Sequence, residues 1–455
     1  MLIRFVIENI FSFGERKEFN MIPRPRLNTL NHHKYNLSHF DLLKMASIYG
    51  ANAAGKSNLI KAMGLLQAII LEEKLPINIK ELQFKFQDHS LNRPILLAVE
   101  FMHENIPFLY AIEVINERIG TEELYISGLG KTDILLYERK TNAENETTLK
   151  FGSELEKNPE ARTFRDILLK SFIKPNKPIL KLIGESGELY LPQAKKAFEW
   201  FDDILHLVSP LSKPGGLAHR IDVNPDLKQY AENMLGSLKI GIEKLSSQKQ
   251  KFKDVFGDDI SSDINLKQIV SEIEGDPTKV ARLKLLRGDE LVILKENGEI
   301  VVKMLQIEHT GKDQIKAKFD MDEESDGTVR LLDFVPAFQG IAQKNKVYVI
   351  DEIERSIHPL LIKELVNRFS KDENTNGQLI FTTHESNLLD QDIFRQDEIW
   401  FAEKDETGST DLYSLSDFKE HKTIDIRKGY LNGRYGSIPF LANLKDLNWD
   451  SHVTN

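Results

Sequence analysis

Three observations predict an α/β fold interrupted by an inserted lobe. Short apolar runs that read as buried strands alternate with helical segments at both ends of the chain. One of these runs leads directly into a glycine-rich loop and an amphipathic helix. The middle, about Gly130 to Lys318, reads as mainly helical. The expected parts are residues 1–130, the first portion of the α/β head; 131–318, the mainly helical lobe; and 319–455, the remainder of the head.

The elements follow in order. Met1–Glu8 alternates apolar and polar residues and reads as a strand, followed by Phe11–Phe13 and Lys17–Met21. Leu43–Tyr49 is apolar enough for a buried strand, and Asn58–Leu71 sets Leu59, Ile60, Met63, Leu66 and Ile70 at helical spacing. From Arg93 to Ser127 the alternation returns, first in Leu97, Val99 and Phe101, then in Leu109, Ala111, Glu113 and Ile115. Pro159–Ile173, Gln193–Val208 and Asp226–Leu245 read as helices. Glu290–Glu308 reads as two strands around the turn Asn297-Gly298. A helix Thr328–Gln343, a strand Lys346–Ile350, a helix Pro359–Phe369 and strands Gln378–Thr383 and Glu398–Ala402 complete the pattern.

Composition narrows the classes. The 455 residues allow two to four domains, or one large domain with an insertion. Hydrophobic content of 41% and charged content of 29% fit a globular protein and disfavour a disordered or fibrous one. The absence of Cys excludes disulfides, thiolate metal sites and a cysteine nucleophile, and fits a reducing, cytoplasmic compartment. No apolar run approaches the roughly 20 residues that span a bilayer, so no membrane partner is expected. The N-terminus reads as a strand, so a secretory signal is not expected. A net charge of −10 argues against coating nucleic acid by bulk charge, while leaving room for a local basic groove.

Gly50-Ala51-Asn52-Ala53-Ala54-Gly55-Lys56-Ser57 satisfies the phosphate-loop spacing G-x-x-x-x-G-K-[ST]. The glycines let backbone N–H groups turn around phosphates, Lys56 supplies a point charge, and Ser57 offers a hydroxyl to Mg²⁺. Gly50, Asn52, Ala53, Ala54, Gly55, Lys56, Ser57 and Asn58 are therefore the candidate nucleotide contacts. A fortuitous glycine turn is disfavoured because the loop follows an apolar strand and opens a helix. Val347–Ile350 ends in Asp351 and Glu352, at the strand end where α/β sheets bind ligands. Asp351 would sit beside Mg²⁺ and Glu352 would polarise the attacking water. Two solvated acids would be the bland alternative; the phosphate loop in the same chain weighs against it. His384, at the end of Gln378–Thr383, is a candidate γ-phosphate contact, whereas His358 either faces a partner or begins a helix. Ser325 is a suitable N-cap and Gly327 frees nearby N–H groups, a second anion-binding arrangement. One helix connects it to Asp351, 26 positions on.

The order phosphate loop, Ser-x-Gly signature, Asp-Glu strand and strand-terminal His resembles an ABC-type P-loop ATPase head. Ile48-Tyr49-Gly50-Ala51-Asn52, Glu324-Ser325-Asp326-Gly327-Thr328, Asp351-Glu352-Ile353-Glu354-Arg355-Ser356 and Thr382-Thr383-His384 are similar to bacterial defence ATPases of the RloA/AbiL type. Those are relatives of OLD-family and Septu PtuA ATPases and, more distantly, of SMC-type repair ATPases. The run Arg427–Gly436 is similar to that subfamily too. The resemblance covers both ends of the chain and only weakly the lobe. It implies ATP and Mg²⁺ as cofactors and a head-to-tail ATP-sandwich homodimer, or a higher homo-oligomer. Lys56, Ser57, Asp351, Glu352 and His384 of one subunit would face Ser325 and Gly327 of the other. It also implies a γ-phosphate-sensing Gln, for which Gln83 and Gln87 are both candidates. OLD-family chains continue into a nuclease domain. This sequence ends at Asn455, so a nuclease is expected on a separate effector.

The resulting expectation is a sensor or switch ATPase of an anti-phage system that controls that effector. An SMC-like repair or recombination ATPase that binds DNA is the alternative, disfavoured by the absence of long heptad arms. A transporter subunit lacks support in the large lobe. A remodelling ring is disfavoured because about 300 residues separate the phosphate loop from Asp351. Lys244–Lys253 is the candidate for weak nucleic-acid backbone contact, set against a solvated helix face.

Overall fold

The alternating N-terminal segments form a seven-stranded antiparallel sheet. Its strands run in the order Thr147–Phe151, Ile134–Thr141, Arg118–Ile126, Ile106–Ile115, Ile95–His103, Leu2–Glu8 and Lys17–Asn20. A computed structural model carries this description for residues 1–37, 40–86, 92–187, 189–212, 215–257, 263–284, 290–418 and 424–437.

A second sheet carries the chemistry-bearing strands. Its order is Leu205–Val208, Val347–Ile350, Gln378–Thr382, Met45–Tyr49, Ile399–Lys404 and Thr410–Ser414. The first five strands are parallel and the last is antiparallel. Met45–Tyr49 and Gln378–Thr382 are buried throughout, as expected for a parallel sheet covered on both faces. The helix Lys56–Glu72 buries Leu59, Met63, Leu66 and Ile70 in one core. That core also takes Phe5 and Val99 from the antiparallel sheet and Ile48, Val349 and Ile380 from the parallel one.

The chain divides into two compact units, 1–210 with 343–353 and 365–455, and 211–342 with 354–364. This differs from the expected lobe boundary. Residues 131–210 belong to the first unit, where Leu180, Ile183, Ala194, Ala197 and Trp200 join its core. Trp200 stacks on Phe101 at 4.2 Å and 17°. Fully buried Glu122 ties this region down: it accepts the hydroxyls of Tyr110 and Tyr137 (3.1 and 3.0 Å) and the N–H groups of Ile179 and Leu180 (3.0 and 3.1 Å). The tail read as helix over Gln193–Val208 is a helix only over Pro192–Glu199. A π-helical turn follows, and Leu205–Val208 becomes an edge strand.

The second unit combines an antiparallel sheet with helices, and helix is the larger part of it, as expected for the lobe. Ile242–Lys251, Glu299–Thr310, Glu290–Glu296 and Val280–Lys284 form an antiparallel sheet, with Lys316–Asp320 paired to Glu299–Thr310. Leu217–Val223, Pro225–Ser237, Phe252–Phe256, Ile264–Gly275 and most of Asp326–Gln343 are among its helices. The reading of Asp226–Leu245 as one helix fails for a local reason. A bulge between Ile242 and Lys244 lets Ile242 and Leu245 both face inward, so strand residues three apart are buried like helix neighbours. Lys244–Lys251 is thus strand, not a helix face. Asn297 (φ 51°) and Gly298 (φ 85°) form the expected two-residue hairpin turn.

At the start of the strand Ile399–Lys404 lies a buried polar network. His33 Nδ1 meets Glu398 Oε2 at 2.9 Å, and His33 Nε2 meets Ser370 Oγ at 2.8 Å. Burial pushes Glu398 well above the usual carboxylate range and His33 down to about 3. Both shifts favour the neutral forms, an arrangement in which Glu398 donates to Nδ1 and Nε2–H donates to Ser370, while Ser370 donates to the Ile393 carbonyl at 3.0 Å.

Candidate nucleotide-binding site

Between its strand and helix, the phosphate loop turns through two left-handed residues, Ala53 (φ 65°) and Gly55 (φ 112°). Gly55 begins the helix without a side-chain cap, so the positive helix end faces an anion site. Buried Lys56 donates to the carbonyls of Gly50 (2.8 Å) and Ala51 (3.1 Å). Asn52 and Ala53 are exposed at the tip. Ser12 and Thr410 brace the back of the loop, two residues the sequence reading missed. The Thr410 hydroxyl lies 2.8 Å from both the Ala54 carbonyl and Ser12 Oγ, and Asn58 Nδ2 donates to Ser12 Oγ at 2.9 Å. Asn58 thus serves the brace with its amide.

This packing makes Gly55 irreplaceable. A Cβ there would stand 2.1 Å from Thr410 Oγ1 at a φ that L-residues avoid. Gly55→Ala is expected to abolish nucleotide binding and to lower stability by about 1–3 kcal/mol. Removing the clash with Thr410→Ala should recover only part of that loss in a denaturant titration, because the backbone strain stays.

The carboxylate strand meets the loop from the other side. Asp351 is buried, and its N–H donates to the Val208 carbonyl at 2.8 Å. Ser57 Oγ donates to Asp351 Oδ1 at 3.1 Å, across 294 residues of sequence. Strand order explains how: Gln378–Thr382 lies between the strands of Asp351 and of the phosphate loop. Its last residue, Thr382, donates to Asp351 Oδ1 at 2.5 Å and accepts the Glu352 N–H at 2.8 Å. Glu352 is half-buried and left-handed (φ 50°). The Thr382-Thr383-His384 run was visible in the sequence, but nothing there assigned Thr382 a contact.

His384 is exposed just past Thr383, whose N–H reaches the Ile48 carbonyl at 3.1 Å beside the phosphate loop. Gln83 is buried, and its amide donates to the Arg93 carbonyl at 3.0 Å. Gln87 lies outside the described residues. The run Arg427–Gly436 also packs at the loop's strand: Tyr430 meets Tyr49 edge-on at 5.8 Å, and Tyr435 stacks on Phe401 at 5.6 Å.

Ser325 and Gly327 belong to the second unit. Exposed Ser325 caps the helix Asp326–Gln343, accepting the Thr328 N–H at 3.1 Å. A Cβ on Gly327 would lie 2.8 Å from the Ser356 carbonyl. His358 begins a helix, its Nδ1 accepting the Leu360 N–H at 3.2 Å.

These residues fit Mg²⁺ and a nucleoside triphosphate. Ser57 and Asp351 already bring two hard oxygen donors together, the donor class Mg²⁺ takes alongside phosphate oxygens. Lys56 lies on loop carbonyls beside a helix start with no side-chain cap.

Among the described residues no helix is long and apolar enough to cross a membrane. Among solved structures, the chain is similar to the SMC head bound to the C-winged helix domain of ScpA, at 12% identity over 91% of this chain and 97% of that one, with a TM-score of 0.41. It is also similar to the SMC head domain from Thermotoga maritima, at 11% identity over 91% and 98%, with a TM-score of 0.36. No curated protein matches the sequence. The family model described as "AAA domain, putative AbiEii toxin, Type IV TA system" matches residues 45–390, from the phosphate-loop strand to just past His384, and the chain belongs to that AAA family.

Proposed function

We propose that this chain is a Mg²⁺-dependent ATPase that serves as the sensor or switch of an anti-phage defence system, works as an ATP-sandwich dimer and controls a separate effector, a nuclease. The observation that carries the ATPase reading is the 3.1 Å hydrogen bond joining Ser57 of the phosphate loop to Asp351 of the carboxylate strand. Ser57 and Asp351 hold Mg²⁺, and Lys56 turns from its loop carbonyls to the phosphates. Bound Mg²⁺ supplies charge neutralisation at the phosphates. Glu352 orients the attacking water and accepts its proton. His384 meets the γ-phosphate side, and Ser325 and Gly327 of a second chain close the site, as the resemblance implies. The defence role draws on the RloA/AbiL-like motifs and on the toxin–antitoxin description of the family.

Shared sites make a specific prediction. Lys56→Ala and Ser325→Arg chains should each be inactive alone, since every site in either homodimer lacks one half. Mixed in equal amounts, they should regain about a quarter of wild-type turnover, because half the dimers are mixed and each has one intact site. A mixture as dead as its parts, or a fully active enforced monomer, sinks the dimer model.

A further inference from the structure

Resting on the ATPase reading above, we propose that Thr382 is the positioning residue that ties the metal-binding carboxylate Asp351 to the general base Glu352, so that the two acids act as one unit. Thr382 is fully buried at the end of the strand lying between the two nucleotide motifs. A threonine hydroxyl has one proton and two lone pairs. Here the proton goes to Asp351 Oδ1 (2.5 Å) and a lone pair takes the Glu352 N–H (2.8 Å). The Thr382 carbonyl takes the next N–H, that of Ile353, at 3.1 Å. Three consecutive residues of the carboxylate segment thus hang on one residue of the neighbouring strand.

The middle one is the one that needs holding. Glu352 is a non-glycine residue with φ 50°, a conformation that persists where surrounding bonds over-determine it. That twist sets the direction of its side chain as it leaves the sheet. Asp351 Oδ1 also takes the Ser57 hydroxyl, at 3.1 Å. The oxygen that orients Asp351 for the cation and the N–H that holds Glu352 in its turn therefore meet on a single hydroxyl. Valine has the same branched shape and neither bond; serine has both bonds and lacks the methyl.

The test measures ATP turnover against Mg²⁺ concentration, and binding of a fluorescent ATP analogue in EDTA, for wild type, Thr382→Val and Thr382→Ser. Supporting groups of this kind typically contribute about 10–100-fold. Thr382→Val is expected to lower kcat about 10–100-fold and to raise the half-saturating Mg²⁺ about tenfold, with metal-free nucleotide affinity unchanged. Thr382→Ser should restore both. In a Glu352→Gln background Thr382→Val should cost little more turnover, because the base it positions is already gone. Thermal melts identify a valine variant that fails to fold; Thr382→Ala, read in the same way, then takes its place. Wild-type kcat and Mg²⁺ dependence in the hydroxyl-free variants overturn the proposal. So does a kcat loss with an unshifted Mg²⁺ dependence and a parallel fall in nucleotide affinity, which is what a merely structural threonine would produce. A wild-type chain that neither binds nor hydrolyses ATP refutes the ATPase reading itself, and the proposal with it.

Discussion

Replacing Glu352 with Gln is expected to lower ATP turnover about 10²–10⁴-fold, the usual contribution of a general base and about 3–5 kcal/mol of barrier. Nucleotide binding should survive. The residues that hold phosphate and cation, Lys56, Ser57 and Asp351, keep their side chains. The backbone of residue 352 also keeps its bond to the Thr382 hydroxyl, so the amide occupies the same half-buried position. The variant should therefore accumulate as an ATP-bound species, detectable as retained nucleotide after gel filtration. Lys56→Ala should behave in the opposite way, losing affinity first. Near-normal turnover in Glu352→Gln would remove the residue from the chemistry and send the search for a base to His384.

The second large effect concerns stability. Arg395 is buried and forms a two-pronged pair with Asp397, Nε to Oδ1 at 2.9 Å and Nη2 to Oδ2 at 2.8 Å. Its guanidinium also donates to the carbonyls of Leu27 (3.1 Å) and Thr29. Arg395→Ala would strand the buried Asp397 carboxylate, leaving it the hydrogen bond from the Arg24 N–H at 2.8 Å. Breaking a buried pair from one side typically costs about 3–5 kcal/mol, so the denaturant midpoint should fall by that equivalent. Arg395→Lys should recover only part, because an ammonium cannot reproduce the planar fork. A midpoint within about 1 kcal/mol of wild type in Arg395→Ala would show that the network relaxes or hydrates around the loss.

The same network marks a boundary of sequence reading. Asn31, His32, His33 and Lys34 read as a polar stretch before a buried strand. In the fold His33 is sealed against Glu398 and Ser370, more than 330 positions away. No local pattern announces such a partnership, because each residue is ordinary in its own segment. Thr410 and Ser12 are a similar case: 398 positions apart, they brace the phosphate loop through hydroxyls that carry no motif. Thr382 was visible beside His384, yet its bonds to Asp351 and Glu352 depend on which strands are neighbours.

What the sequence determined by itself was the local structure set by short-range spacing. The phosphate loop, the apolar strand ending in Asp351-Glu352, the Ser325 cap and the Asn297-Gly298 hairpin each follow from local backbone demands, and each stands where the spacing puts it. Only the tertiary structure decided which long segments joined which sheet. Leu205–Val208 became a strand because Val347–Ile350 offered an open edge, and paired with it residue for residue. Ile242–Lys251 became a strand because Glu299–Thr310 lay beside it and a bulge absorbed a helix-like spacing. Residues 131–210 joined the first unit, in whose core Trp200 and its apolar neighbours are buried. Apolar periodicity reports that a face is to be buried; the partner that buries it is chosen by the rest of the chain.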